Sequence, residues 1–209
     1  MRASGLIIAL SFVFAHFVYV GPAQAAKPEF KDDQHCVAYF TKKKMFLVRN
    51  VEVVGKNCNV ETKLTFSEKG FALKLSAPIA KFKSGEADRD KEVELILQAK
   101  KQPNIEFESK SFSQDQWIQW IGKGSGKIAG ELVIASKRFP VNADVKITKT
   151  ASGFTVQGTI PGKFSDYKIK PPSVGGGMVA NVKDFLELHF HLQARSTDGF
   201  TGSLLDQMK

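Results

Sequence analysis

The chain has 209 residues, 43% hydrophobic and 24% charged, with 30 Lys+Arg against 21 Asp+Glu and a formal net charge of +9. That balance excludes a disordered or low-complexity chain, and 17 Gly with 8 Pro exclude a collagen-like or proline-rich one. The skewed count is Phe, 17 against 3 Tyr and 2 Trp, which points to a large apolar interior, whether packed or hollow.

The amino terminus reads as an export leader. Arg2 gives a positive start, Leu6 to Val20 form an apolar run interrupted at His16, and Ala23-Gln24-Ala25 offers small residues for cleavage. The run is shorter than the roughly 20 residues of a membrane span. Cleavage is expected after Ala25, leaving residues 26–209 as one exported domain, periplasmic or secreted. In an oxidising compartment Cys36 and Cys58 read as a disulfide, with two free buried thiols as the alternative. Their spacing suits a hairpin whose ladder is centred near Leu47.

Period-2 alternation dominates the remainder. Leu64 and Phe66 are followed by Phe71, Leu73 and Leu75, with a turn at Glu68-Lys69-Gly70. Next comes one helical segment: Ser84 is placed to cap it, Glu86, Asp88 and Asp90 suit its positive end, and Val93, Ile96 and Leu97 share a face. Pro103 lies beyond its end. Ile105 and Phe107 begin a strand; Ile128, Leu132 and Ile134 form another; Val141, Ala143, Val145 and Ile147 alternate with polar residues. Ala151-Ser152-Gly153 turns the chain into Phe154, Val156 and Ile160. After Gly175-Gly176-Gly177, the last run sets Leu186, Leu188, Phe190 and Leu192 against Glu187, His189, His191 and Gln193. About eight strands with one main helical insertion argue for an all-β fold, a closed up-and-down antiparallel barrel or a sandwich.

Candidate chemistry is sparse. Gly122-Lys123-Gly124-Ser125-Gly126-Lys127 lacks the leading Gly and the closing Ser/Thr of a phosphate loop, and reads instead as a flexible basic hairpin loop. Glu187, His189 and His191 could approach one metal, but they lie opposite the apolar row and are expected to face water, so no metal site is assigned. Asp88, Asp90, Glu92 and Glu94 alternate with Arg89 and Lys91 and read as helix capping and surface ion pairs, not as an acid–base pair. No Gly-x-Ser-x-Gly elbow is present, and few histidines remain for a histidine-based enzyme. The scattered lysines and the export leader argue against nucleic acid as a partner and allow at most a loose attraction to an anionic membrane surface. Trp117 and Trp120, with Ile118 and Ile121, form either an aromatic flap over a barrel mouth or part of the core.

Several segments, in order, resemble the YceI-like family of exported polyisoprenoid-binding proteins. Ser84 to Lys91 resembles that family's Arg-Asp helix start, and Lys101 to Ser109 its Lys-x-Pro-x-Ile-x-Phe-x-Ser strand. Gly130 to Ile134 with Pro140-Val141 is similar to its Gly-x-Leu-x-Ile strand and following turn. Phe154 to Gly158, Phe164 to Ile169 and the last strand, Phe185 to Ala194, complete the match. Phe164 and Lys168 stand where the family usually has Arg and Gly, and the Cys36/Cys58 pair is additional.

The resemblance implies an extended antiparallel lipocalin-like barrel holding a long isoprenoid chain, such as a quinone tail, without catalysis and without a catalytic cofactor. The alternating apolar positions are the expected wall: Leu64, Phe66, Leu73, Leu75, Ile105, Phe107, Leu132, Ile134, Phe154, Val156, Leu188 and Phe190. The other reading is a ligand-free envelope-stress or adhesion module with a filled core. A homodimer is left open by the sequence.

Overall fold

Strands that alternate apolar and polar residues make a sheet with one greasy face, and that face must be covered. Here the sheet covers itself. The structure, a computed structural model, describes residues 27–46, 48–67, 70–174 and 178–195, without the side chains of Phe66, Val174 and Arg195. The leader expected at residues 1–25, Leu47, the Glu68-Lys69 part of one turn and the glycine run 175–177 lie outside the described residues.

Ten strands form one antiparallel sheet: β1 (Cys36–Met45), β2 (Arg49–Asn57), β3 (Glu61–Ser67), β4 (Gly70–Pro78), β5 (Asn104–Ser109), β6 (Ser125–Ile134), β7 (Lys137–Thr150), β8 (Gly153–Gly162), β9 (Ser173–Val174) and β10 (Ala180–Arg195). The spatial order is β2-β1-β10-β8-β7-β6-β5-β4-β3, with the two-residue β9 attached to β10. This is the expected meander, with two strands more than the eight foreseen and with its last long strand pairing the first. The two edge strands, β2 and β3, are consecutive in sequence, so the seam lies where the chain passes from one to the other.

That seam is joined by a few hydrogen bonds in place of a ladder. Lys56 and Lys83 exchange two backbone bonds of 2.9 Å. The Asn57 side-chain amide donates to the Pro78 carbonyl (2.9 Å) and its oxygen accepts the Asn59 N–H (2.8 Å). Asn57 is fully buried, so losing either partner would strand a polar group away from water. Beside it the Cys36–Cys58 disulfide, 22 residues apart, ties the first residue of β1 to the end of β2. The register Val37↔Asn57 through Met45↔Arg49 centres the hairpin on position 47, as the cysteine spacing predicts. In the chain-entropy picture a loop of this size restricts the unfolded chain by roughly 3 kcal/mol.

Strand polarity sorts the connections into two ends. At one end lie the β3–β4 and β7–β8 turns and a second helix, α2 (Gln114–Lys123), between β5 and β6. At the other lie α1 (Ala87–Ile96), between β4 and β5, the Ala135-Ser136 turn, the β8–β10 connection and the β1–β2 turn. The α1 helix matches the expected segment, but its N-cap is Glu86 and makes no side-chain cap bond. Ser84 serves another purpose: its hydroxyl donates to Asp90 Oδ1 (2.6 Å) and accepts from Arg89 Nε (2.8 Å). The Arg-Asp pair thus clamps the loop entering the helix.

The sequence reading contains no α2. Ser113 and Gln116 close a reciprocal capping box at its start, and Gly124 ends it in the left-handed conformation (φ 66°). The glycine-rich stretch is therefore a helix end running directly into β6, and the flexible hairpin loop expected there is absent.

Lys168 is also left-handed (φ 57°), just after the short helical turn Ser165–Tyr167. A side chain in that conformation costs roughly 1–2 kcal/mol, and glycine relieves it. Lys168→Gly is expected to raise the unfolding free energy by about 1 kcal/mol, the unfolded-state entropy of glycine offsetting part of the relief. Urea unfolding measures this; a loss of stability would show that the lysine side chain is held by contacts of its own.

Candidate functional site

The inward positions of the strands enclose a cavity of about 790 Å³, in the range of small-molecule binding sites. Cross-strand register explains its apolar lining: Leu64↔Leu73, Leu75↔Phe107, Phe107↔Leu132, Ile147↔Val156 and Ile160↔Leu188 are same-face pairs on adjacent strands. Of the twelve wall positions expected from sequence, Leu64, Leu73, Leu75, Ile105, Phe107, Leu132, Ile134, Val156, Leu188 and Phe190 line this cavity. Phe154 does not. It is 1% exposed and packs edge-on against Trp117 (centroids 6.3 Å apart), so it belongs to the packed core. The Phe66 side chain lies outside the described residues, although its backbone pairs with Phe71 on the same face.

A barrel this rich in phenylalanine could fill its own interior. Glycine prevents it. Gly55 lies directly opposite Tyr39, and Gly158 directly opposite Phe190. A Cβ on Gly55 would sit 2.2 Å from the Tyr39 ring, and one on Gly158 would sit 2.1 Å from the Phe190 ring. Gly130 has the same relation to Phe107, at 2.6 Å. Each ring therefore lies against the wall over a missing side chain, and the middle of the barrel stays open. The sequence places Phe107 and Phe190, but not Tyr39, in the wall and does not connect them with the glycines; knowing which strands are neighbours supplies that link.

One end of the bore is stopped. Phe71 and Phe112 exchange backbone hydrogen bonds of 3.0 and 2.9 Å, and their rings meet edge-on at 4.1 Å. Trp117 on α2 packs against Phe71, Phe112 and Phe154, and Trp120 packs against Phe112 and lies over Gly126. Of the two readings open for this cluster, the structure assigns Trp117 to core and floor at the closed end. The other end is the mouth. There α1 lays Val93, Ile96 and Leu97 along the cavity, with Glu86, Asp88, Arg89 and Glu92 at the rim; Lys43, Pro172, Ser173, Ala180 and Val182 line the opposite side.

Besides the charged residues of the rim, Thr41, Thr62, Lys63, His189 and Gln193 line the cavity. Thr41 is buried and its hydroxyl donates to the Phe185 carbonyl (2.6 Å), while the Ser109 hydroxyl accepts the Leu73 N–H (2.8 Å). The Tyr39 hydroxyl is pushed up in pKa by burial, an effect that the nearby Arg89 guanidinium and Ser84 partly counter. Arg89 also donates to the Ser84 carbonyl (2.9 Å) and pairs with Glu86 (3.4 Å). Asp88 pairs with Lys91 and Asp90 with Lys83, as the surface-pair reading expects, while Glu92 and Glu94 are in no ion pair among the described residues.

The polar row of β10 does not face water as expected. Residues 27–35 are laid across the outer face of β1 and β10, leaving His191 fully buried and His189 nearly so. His191 Nδ1 donates to the Gln34 carbonyl (2.6 Å), and its ring stacks on Phe30 (5.6 Å). His189 Nε2 donates to Glu187 (2.9 Å), and its Nδ1 accepts from the Thr159 hydroxyl (3.2 Å). Among the described residues no group of three His, Cys, Asp or Glu is placed to hold a metal.

The YceI-like domain family matches residues 31–194. Among solved structures, BcnA of Burkholderia cenocepacia superposes with a TM-score of 0.57 at 17% identity, over 75% of this chain and 94% of that one. A polyisoprenoid binding domain from Saccharophagus degradans, implicated in plant cell wall breakdown, superposes at 0.54 with 9% identity, over 74% and 91%. Both similarities concern the fold. No curated protein matches the chain.

Two outcomes follow from this geometry. Gly158→Val should drive the Phe190 ring into the bore, lowering stability by about 1–3 kcal/mol and weakening uptake of an apolar fluorophore; adding Phe190→Ala should restore uptake. Unchanged uptake in the single variant would show that the ring does not bound the bore. Burial lowers the His189 pKa below its ordinary 6.5, only partly countered by Glu187. The folded chain then takes up that proton less readily than the unfolded one, so stability falls as pH drops below 6.5 and levels off once the lowered pKa is passed. His189→Asn should flatten this part of the stability–pH curve; an unchanged slope would assign it to other groups.

Proposed function

This chain belongs to the YceI-like domain family, and we propose that it is an exported, non-enzymatic protein that carries, stores or sequesters a long isoprenoid lipid, such as a quinone tail, in its bore. One observation carries the reading: a cavity of about 790 Å³ with a mostly apolar wall, packed aromatic rings at one end and charged residues of α1 at the other. Each methylene transferred from water to such a wall contributes roughly 0.8 kcal/mol, so a slender hydrocarbon chain needs no specific polar contact to bind. Part of that gain is offset by the loss of the lipid's freedom on binding. Glu86, Asp88, Arg89 and Glu92 on one side and Lys43 on the other are the charged groups at the rim where a head group would lie.

The leader pattern of residues 1–25 and the Cys36–Cys58 disulfide support export to a periplasm or beyond the cell. The non-enzymatic reading is supported by a cavity wall made mostly of aliphatic and aromatic side chains. A neighbour of the same fold is described as polyisoprenoid-binding, which supports the choice of ligand class.

The protein purified from an exporting host, extracted with organic solvent and examined by mass spectrometry, should release a polyprenyl lipid in near-stoichiometric amount. Phe107→Trp or Leu75→Trp, which fill the bore, should retain the fold by circular dichroism and lose uptake of added long-chain quinone by at least about tenfold, the equivalent of two buried methylenes. No extracted lipid together with no quinone uptake would leave the ligand-free module as the better description.

A further inference from the structure

One lip of the mouth gathers exposed apolar side chains beside unpaired basic ones, whereas the α1 lip is of mixed charge with Leu95 exposed alone (72%). On the β1–β2 turn Phe46 is 65% exposed and Val48 80%; on the turn before β10 Met178 is 69% exposed and Val179 40%. These two turns are joined, since the Phe46 N–H donates to the Val179 carbonyl (3.1 Å) and Met45 pairs with Ala180. Phe46 is held left-handed (φ 47°), a conformation unfavourable for a bulky residue, with its ring turned to solvent. Folding does not explain four exposed apolar side chains in one patch.

Lys43, Lys44, Arg49, Lys168, Lys170 and Lys183 flank the patch or lie on the β8–β10 connection at the same end. Among the described residues none of the six is in an ion pair. The acids of these segments are engaged elsewhere: Glu52 with Lys42 (3.5 Å), Asp184 with the Ser165 hydroxyl and N–H (2.6 and 3.0 Å), and Asp166 with the Lys163 N–H (2.8 Å). Across the opening, α1 presents Glu86, Asp88, Arg89 and Glu92, with Glu86 paired to Arg89 and Asp88 to Lys91.

We infer that the β1–β2 and β9–β10 lip is a docking surface for an anionic phospholipid bilayer, which it grips with Phe46, Val48, Met178 and Val179 while the basic residues meet the head groups. Apolar tips ringed by lysine suit an interface of this kind, and charge complementarity selects it over a neutral surface. The α1 lip, whose Glu86, Asp88 and Asp90 are paired with Arg89, Lys91 and Lys83, offers no such run of unpaired cations, so the opposite lip leads the approach. Lys43, Ala180 and Val182 belong both to this lip and to the cavity wall, so the docked face leads directly into the bore. The inference rests on the carrier reading and extends it to the source of the ligand.

The test is flotation of the processed protein with vesicles of phosphatidylcholine alone or mixed equally with phosphatidylglycerol, alongside uptake of farnesol in vesicle-free solution. The wild type should float with the mixed vesicles and little with the neutral ones. At roughly fivefold per basic residue, Lys44→Glu/Arg49→Glu should weaken flotation by at least about twentyfold. Lys146→Glu/Lys149→Glu, the same charge change at the stopped end, should weaken it far less. Phe46→Ser/Met178→Ser should make the remaining binding wholly salt-sensitive. All three variants should take up farnesol like the wild type. Equal flotation with both vesicle types, equal loss in the two charge variants, or Phe46-dependent self-association in sedimentation would overturn the docking assignment. Farnesol uptake without flotation removes docking and leaves the carrier reading standing, whereas failure of uptake in the wild type removes the carrier reading as well.

Discussion

The structure depends on the fact that its sheet has no second layer to lie against. Nine long strands present one apolar face, and neither another sheet nor a row of helices covers it. Curling is the way this chain removes the surface from water. Most barrels of this width would then fill with side chains. Here the largest side chains are laid along the wall over glycines on neighbouring strands, so hydrophobic burial drives closure while leaving volume behind. Emptiness is thus a property of particular residue pairs, Tyr39 with Gly55 and Phe190 with Gly158 above all.

Closing such a sheet creates a seam, and the chain spends buried polar groups and a covalent bond there. Nine strands leave two edges that cannot continue the antiparallel pattern into each other. Asn57, the Lys56–Lys83 bridge and the Cys36–Cys58 disulfide concentrate at that place. Residues 27–35 add a second layer locally, over the outer face of β1 and β10, and turn what would be a wet histidine row into a buried one. The ends are treated differently: α2 drives aromatic rings into one, and α1 borders the other with aliphatic side chains beneath and charge at the rim.

Much of this was legible in the chain. Period-2 alternation located the strands from Leu64 onward and most of the wall, because an inward side chain must be apolar whatever its neighbours. The cysteine spacing located the first hairpin. Membership of a family was legible from Ser84 to Ala194, where short motifs recur in order. What escaped depends on distant parts of the chain. His189 and His191 alternate with apolar residues as surface groups do, and only the path of residues 27–35 buries them. The α2 helix had a local signal in Ser113, Gln116 and the Trp117/Trp120 spacing, but the glycines after it drew attention as a loop. Phe154 follows the wall pattern perfectly and fails as wall because Trp117 reaches it first. Ser84 has the chemistry of a cap and is used instead to anchor Arg89 and Asp90.

The aromatic stopper beneath Trp117 gives the molecule a direction. An elongated guest entering past α1 would meet these rings, so the end that goes in first would be the end withheld from the outside world. A hydrocarbon tail would vanish and its polar terminus would stay on view, held still and presented outward. Under the proposed function, depth would act as a gauge: a guest that matches the well would be seated, and a longer one would leave its surplus protruding. For a guest of the proposed kind, departure would retrace arrival past α1.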